Sequence, residues 1–218
     1  MNELLQGLNG GNVPTLELLF MITLLALLPS IILMMTSFLR IVIILSFTRS
    51  AMGIQQTPPN MVLVGIALFL TLYIMSPVIG RINEEAYQPY LRGEITQSQA
   101  LERMEVPLKE FMLRNTQKDT LDAFVEMSGE EVRENVEDYP LTVVTPAFMT
   151  SELKAGFTAG FLLYLPFLLI DVVVSTTLMA MGMVMLPPTM VSMPFKILLF
   201  ISVDGWQLLF GSIVRSFR

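Results

Sequence analysis

The chain has 218 residues, of which 53% are apolar and 15% charged, and its mean hydropathy is +0.64. A soluble domain of this composition would expose large apolar patches, so the surface must face lipid or other apolar chains. The net charge of −6 and the lack of a basic run exclude a nucleic-acid-binding class. The absence of cysteine and histidine excludes disulfides, thiolate or imidazole metal sites, and nucleophiles that need them.

The first part of the chain predicts a hydrophobic helical hairpin. Residues 18–39 carry no charge, and 22 residues at about 1.5 Å each suffice to cross a hydrocarbon core of roughly 30 Å. We expect Pro29 to kink this helix, which is either over-long and tilted or broken near Ser37. A loop at residues 49–60 precedes a second uncharged span that ends before Arg81.

The middle of the chain, residues 81–150, has a soluble composition. It holds fourteen of the nineteen acidic residues. Apolar residues three or four positions apart, such as Leu108 with Phe111 and Met112, predict short amphipathic helices on the membrane surface or against another chain. Arg40 and Arg49 favour a cytoplasmic first loop, which places the acidic segment in the periplasm.

The last part of the chain, residues 151–218, predicts a second hydrophobic hairpin. Its two apolar runs flank the segment LPPTMVSMP, which we expect to be non-helical because adjacent prolines remove donors and favour extended geometry before them. The small residues Gly156, Ala159, Gly160 and Gly182 allow close approach of helices.

These patterns predict an all-α membrane protein in which two hydrophobic helical hairpins flank a short helical soluble segment. The predicted parts are a polar N-terminal segment (1–15), the first hairpin (16–80), the acidic periplasmic segment (81–150) and the second hairpin with a methionine-rich turn (151–218). The first part lacks a basic region and a small-residue cleavage site, so either a signal was removed or the first hydrophobic helix inserts without one.

Three charged residues lie within the apolar runs of the second hairpin: Asp171, Lys196 and Asp204. Asp171 lies sixteen residues before Pro187, about 24 Å along its helix, whereas Lys196 lies two residues beyond Pro194. A straight hairpin therefore keeps the two apart, and we expect pairing with another subunit, or with the first hairpin through Arg40 or Arg49. Two roles stay open: interfacial charges that fix assembly, or a direct part in ion or substrate passage.

The same aspartates raise the alternative of an intramembrane aspartyl protease. Such an enzyme needs two carboxylates a few ångströms apart that share a proton. Neither Asp171 nor Asp204 lies in the GxGD context of that class, and no GxxxxGK[ST] phosphate loop is present. We therefore predict no catalytic site, no metal and no cofactor.

Six of the 17 methionines cluster around the turn of the second hairpin. Methionine is a common apolar filler of membrane helices, but its flexible, polarisable side chain also adapts to a varying shape. If copies of the chain surround an axis, a ring of methionines would seal a pore and still yield to a passing polypeptide. The clustered residues are Met179, Met181, Met183, Met185, Met190 and Met193.

Several segments together resemble the FliP family and its injectisome relatives. They follow the family order from about Thr15 to Phe217 and cover nearly the whole chain. The segments are LLPSIILMMTSFLRIVIIL, PPNMVLVGIALFLTLYIMSPVI, AYQPY, FMLRNT, TSELKAGF, LPFLLIDVVVSTTLMAMGMVMLPP and PFKILLFISVDGWQLL.

The resemblance implies a homo-oligomeric ring of five copies in the bacterial inner membrane, within the flagellar basal body. This ring would associate with FliQ and FliR, be contacted by FlhB, and form a channel for unfolded exported flagellar proteins, with membrane lipid around it. The segment from AYQPY to FMLRNT is more similar to the flagellar branch than to the injectisome branch. A structural nucleator, on which other subunits assemble and line the pore, is the alternative. A small-molecule transporter would need an inverted repeat, and the hairpins show no convincing internal similarity.

The resemblance also implies roles for particular residues. Residues 129–145 have little counterpart in the family pattern, and Val184 interrupts its methionine run. The implied residues are Met181, Met183 and Met185 for the pore gasket, Phe111, Phe124 and Glu152 for contacts between copies, and Asp171 and Lys196 for functional charges.

Overall fold

The computed structural model describes residues 33–54, 56–129 and 135–217, together with residues 19, 22, 23, 26, 27 and 30. All regular secondary structure within these residues is helical, which confirms the all-α prediction for them. The described helices are α1 (Phe38–Ala51), α2 (Asn60–Ile82), α3 (Gln97–Asn115), α4 (Lys118–Ser128), α5 (Leu141–Ala180), α6 (Pro188–Ser202) and α7 (Gly205–Arg215).

The chain divides into two compact units, residues 1–34 and 35–218. The described positions of the first unit are helical, and the Thr23 hydroxyl donates to the Leu19 carbonyl oxygen, one turn earlier, at 2.8 Å. Pro29, where we predicted a kink, lies outside the described residues. The same is true of most of the predicted first span.

The second unit begins with a non-helical bend at residues 35–37. The Thr36 hydroxyl oxygen accepts a hydrogen bond from the Phe38 backbone N–H at 3.4 Å. The Ile41 N–H donates to the Ser37 carbonyl oxygen at 3.3 Å, so α1 starts immediately after the bend. Of the two predicted alternatives, the break near Ser37 is the correct one.

α2 is one of two described helices that are long and apolar enough to cross a membrane. It continues through a π-helical turn (Asn83–Tyr87) and a last turn (Gln88–Leu91), which gives 32 residues or about 48 Å. The second such helix is α5, with 40 residues, and α6 with α7 forms a third span if the bent pair counts as one. These lengths agree with the membrane class predicted from composition.

The predicted amphipathic helices of the middle segment are α3 and α4. Thr96 begins α3 with a capping box, in which its side chain accepts from the Gln99 N–H and Gln99 bonds back to the Thr96 N–H. Gly129 ends α4 in the left-handed conformation, with φ of +69°. Both helices bury their apolar faces in the core of the second unit, for example through Met112 and Val125.

The core of this unit lies where the first half of α5 packs against α1. A Cβ added to Gly156 would lie 3.1 Å from Ile43, and one added to Gly160 would lie 2.5 Å from the ring of Phe47. These distances confirm that both glycines permit close helix approach, as their small size predicted. Ala159 also packs, partly buried, against this core.

The expectation that LPPTMVSMP is wholly non-helical is wrong. α6 begins at Pro188 and continues through Pro194 to Ser202. Pro188 occupies the first turn, where a backbone N–H has no helical partner in any case. Pro194 removes one internal donor without ending the helix, so the break is limited to residues 181–187.

The last apolar run is also interrupted, at a point where its composition predicted none. α6 and α7 meet at an angle of 64°. Asp204, between them, adopts φ of 50° and ψ of 47°, a left-handed conformation that is unfavourable for most L-residues. A Cβ on Gly205 would approach the Phe200 ring to 2.5 Å, so only glycine permits this packing.

The four-part division of the chain stays a prediction.

Candidate functional site

The methionine-rich turn, residues 181–187, connects α5 to α6. α5 ends in a Schellman motif, in which the Met183 N–H donates to the Leu178 carbonyl at 2.9 Å and the Gly182 N–H to the Met179 carbonyl at 3.0 Å. Gly182 has φ of +76°, which glycine adopts without steric cost. A Cβ at Gly182 would meet no atom within 4 Å in the described part of the chain, so the close helix approach predicted for this glycine is not made there.

The side chains of this turn are exposed in the isolated chain. Met181, Met183 and Met185 are 63%, 41% and 97% exposed, and Val184 between them is 77% exposed. Unbranched apolar side chains held in this way form a flexible, non-hydrogen-bonding surface at the end of the hairpin. The gasket role of the three methionines stays a prediction.

Asp171 and Lys196 meet across the two helices of this hairpin. The Lys196 ammonium lies 2.6 Å from Asp171 Oδ2, and the Ser192 hydroxyl donates to Asp171 Oδ1 at 2.5 Å. Lys196 is 2% exposed and Ser192 is fully buried. Ser192 was not predicted, although it lies four residues before Lys196 and hence on the same face of α6.

The expectation that Asp171 and Lys196 cannot meet is therefore wrong. It counted from the prolines, whereas the helices end and begin elsewhere. Asp171 lies nine residues before the end of α5 at Ala180, and Lys196 lies eight residues after the start of α6 at Pro188. At about 1.5 Å per residue these distances are about 14 and 12 Å, so the two residues share one level.

The third predicted charge, Asp204, does not join this pair. It lies exposed at the start of α7 and makes no side-chain capping hydrogen bond. Asp171 has a lysine and a serine as partners, whereas an aspartyl protease would present a second carboxylate that shares its proton. The arrangement therefore lacks the geometry of a catalytic dyad.

A second buried ion pair joins α1 to α5. The guanidinium of Arg40 makes a bidentate contact with the Glu152 carboxylate, in which Nε donates to Oε2 at 3.0 Å and Nη2 donates to Oε1. Arg40 is 7% exposed and Glu152 is fully buried. Arg40 Nη1 also donates to the Ser216 carbonyl and hydroxyl oxygens, at 3.2 and 3.1 Å. Its guanidinium lies 3.9 Å from the ring centroid of Phe217.

This pair was not predicted, because Arg40 and Glu152 are 112 positions apart and only their placement within apolar sequence signals a partner. Three elements converge on it: α1, the first half of α5 and the segment after α7. Fully desolvated, bidentate pairs of this kind fix the relative register of the elements they join.

The two phenylalanines assigned to contacts between copies lie in or against the chain's own core. Phe111 is 3% exposed, lies edge-on to Phe148 and stacks on Phe217 with centroids 6.1 Å apart. Phe124 is partly buried against the same cluster. Contacts between copies through Phe111, Phe124 and Glu152 stay a prediction, and Glu152 would act there through the elements that it holds together.

Comparison with known proteins assigns the chain to a family. The family model described as "FliP family" matches residues 21–213 of this chain. A relative from Aquifex aeolicus is 48% identical over 212 residues, which cover 96% of this chain and 88% of the relative. A relative from Bacillus subtilis is 47% identical over 203 residues, which cover 93% of this chain and 92% of the relative. A relative from Pectobacterium carotovorum is 48% identical over 211 residues, which cover 96% of this chain and 82% of the relative. All three are named flagellar biosynthetic protein FliP, and the present chain belongs to the FliP family.

Proposed function

We propose that the chain is a pore-forming subunit of the flagellar protein export gate. Several copies surround an axis, and residues 181–187 of each copy line the narrowest part of a channel for unfolded flagellar proteins. The family is not an enzyme family, so the chain acts through its assembly and shape. FliQ, FliR and FlhB are the proposed partners, the ring has five copies, and its place is the bacterial inner membrane in the flagellar basal body.

The observation that carries this proposal is the exposed methionine-rich turn at the end of the α5–α6 hairpin. The buried residues of α5 lie mainly in its first half, up to Gly160, where it packs on α1, α3 and α4. Beyond this point large apolar side chains such as Phe161, Leu169 and Val173 are at least 56% exposed. Apolar surface of this extent fits lipid or other copies of the chain.

The ion pair of Asp171 with Lys196 supports the same proposal by fixing the hairpin. Two apolar helices surrounded by lipid or apolar neighbours have little hydrophobic preference for one register over another. A buried lysine and aspartate lose their pairing if the helices slide, and an unpaired charge in an apolar setting is strongly unfavourable. The pair therefore holds the methionines of every copy at one level.

The seal is tested by shortening the methionine side chains. Met183→Ala with Met185→Ala should raise small-ion conductance through the assembled gate, because a truncated ring leaves a wider apolar constriction. The matched control is Met127→Ala, which changes a methionine that is 69% exposed on α4. Conductance equal to that of the parent and of Met127→Ala would count against a methionine seal.

The structural nucleator remains the second candidate, since a large exposed apolar surface also suits a scaffold. Cysteines placed one at a time at Met181, Met183 and Met185 separate the two functions. In a stalled export complex the pore function predicts crosslinks from these positions to the exported protein. Crosslinks to other export subunits alone would favour the nucleator.

A further inference from the structure

A cavity of about 620 Å³ lies between the end of α1 and the second hairpin. Arg49 from the last turn of α1 lines one side, Tyr164 and Asp171 of α5 line another, and Thr189 and Lys196 of α6 close it. A space of this size accommodates a small polar group several times larger than a water molecule. None of these lining residues belongs to the methionine-rich turn.

The charges around this cavity do not balance. The Lys196 ammonium is paired with Asp171, both of whose carboxylate oxygens accept hydrogen bonds. Arg49 donates through Nη1 to the Pro58 carbonyl oxygen at 3.3 Å and to the neutral Asn60 side chain. Within the described part of the chain, Arg49 has no carboxylate partner. The cavity therefore carries one net positive charge.

The hydrogen-bond donors and the apolar lining residues of the cavity indicate which kind of ligand would fit it. Arg49 has Nε and Nη2 donors beyond those used by Pro58 and Asn60, and the lining residue Tyr164 carries a hydroxyl. Planar guanidinium donors suit the oxygens of a phosphate group. Met190 and Met193 of α6 and Ile54 after α1 form the apolar part of the lining, beside Ser50 and Gly53. An anion with an attached apolar chain would satisfy both parts.

We propose that this cavity binds an anionic phosphate group. The apolar rim favours a phospholipid headgroup over free phosphate as its source. The loop after Arg49 is also the one that its basic residues predict on the cytoplasmic side, where anionic lipids are enriched. Such a lipid would bridge α1 to the hairpin and steady the level at which α5 and α6 end.

The test uses the full chain in an uncharged detergent, titrated with phosphatidylglycerol, phosphatidylcholine or sodium phosphate. Bound lipid is counted by native mass spectrometry, and the midpoint of thermal unfolding is followed in parallel. Phosphatidylglycerol should bind and raise the midpoint more than phosphatidylcholine. Arg49→Gln should weaken this binding about tenfold, the effect of one charge-assisted hydrogen bond. The control Arg92→Gln, at a site 61% exposed and paired with Glu94, should bind as the parent does.

The remaining outcomes of this titration either support or overturn the proposed phosphate site. Protection by sodium phosphate alone, lost in Arg49→Gln, would support the site and identify the free anion as its ligand. If Arg49→Gln lowers the helical content by circular dichroism, Tyr164→Phe replaces it and should weaken binding about threefold through one lost hydroxyl. Equal affinity of parent and the folded cavity variant, or no preference for phosphatidylglycerol over phosphatidylcholine, would overturn the proposal.

Discussion

The buried pair of Arg40 with Glu152 gives a quantitative prediction. Replacing Arg40 by Met leaves the Glu152 carboxylate buried without its cation, and breaking a buried pair in this way costs about 3–5 kcal/mol. Replacing Glu152 by Leu should cost less, about 3 kcal/mol, because Arg40 keeps the Ser216 oxygens and the face of Phe217. The free energy of unfolding should therefore fall in both variants, and further in Arg40→Met.

The double variant, Arg40→Met with Glu152→Leu, should lose far less unfolding free energy than the two single variants lose together. No buried charge remains, and the loss is limited to the contacts of Arg40 with Ser216 and Phe217, about 1–2 kcal/mol. The coupling energy between the two positions should thus be at least about 4 kcal/mol. Two apolar side chains of similar volume are known to replace buried pairs with little loss of stability.

The assay is reversible unfolding in mixed detergent micelles. The single tryptophan, Trp206, reports on it by fluorescence, since it packs edge-on against Phe200 with centroids 5.1 Å apart. Circular dichroism of the helices gives an independent midpoint. Additive losses within about 0.5 kcal/mol would refute the reasoning, because independent sites behave in that way. A free energy of unfolding equal to the parent's in either single variant would also refute the reasoning.

Three further predictions use the same unfolding assay. Gly160→Ala should lower stability by about 1–3 kcal/mol, since its Cβ would overlap the Phe47 ring. Gly182→Ala should cost about 1 kcal/mol through its positive φ alone. The Arg81 guanidinium holds the pKa of the Glu110 carboxyl below its usual value, so this contact stabilises the fold above about pH 4.5 and is lost as the pH falls through that lowered pKa. Glu110→Gln should remove this part of the acid sensitivity.

Each of these has a matched comparison. Gly80→Ala, on α2, introduces a Cβ that meets no atom within 4 Å, and stability equal to Gly160→Ala would contradict the overlap with Phe47. For Gly182, replacement by Asn should be milder than by Ala, because Asn tolerates the left-handed region better. An acid-unfolding profile of Glu110→Gln identical to the parent's would show that its contact with Arg81 does not contribute.

The sequence predicted the helical elements well where local chemistry decides them. The apolar spacing around Phe111 lies on one helix, α3, as its pattern indicates. Gly156 and Gly160 lie at a close helix contact for the steric reason that their size suggests. These features depend on neighbours within one or two turns, which the sequence contains.

The predictions failed where the position of a helix end mattered. The prediction counts residues from Pro187 on one side and from Pro194 on the other, but Gly182 ends α5 five residues before Pro187 and α6 already starts at Pro188. Because the helix ends lie a few residues from their predicted positions on each side, Asp171 and Lys196 lie at the same level and not at different ones. Long-range pairs such as Arg40 with Glu152 were out of reach for another reason, since spacing carries no information over 112 positions.

The two ion pairs divide α5 into parts with different physical roles. Glu152 and Asp171 are nineteen residues apart, about 28 Å along the helix. The Glu152 end is locked into the core by α1 and the C-terminal segment, whereas at the Asp171 end α5 is tied to α6 through Lys196. Force or binding at the turn, residues 181–187, is therefore resisted by the second pair before it reaches the first. Cutting the second pair, as in Lys196→Met, should alter the turn while leaving the Arg40 contacts and the core stability unchanged. Loss of core stability in that variant would show that the two halves unfold together.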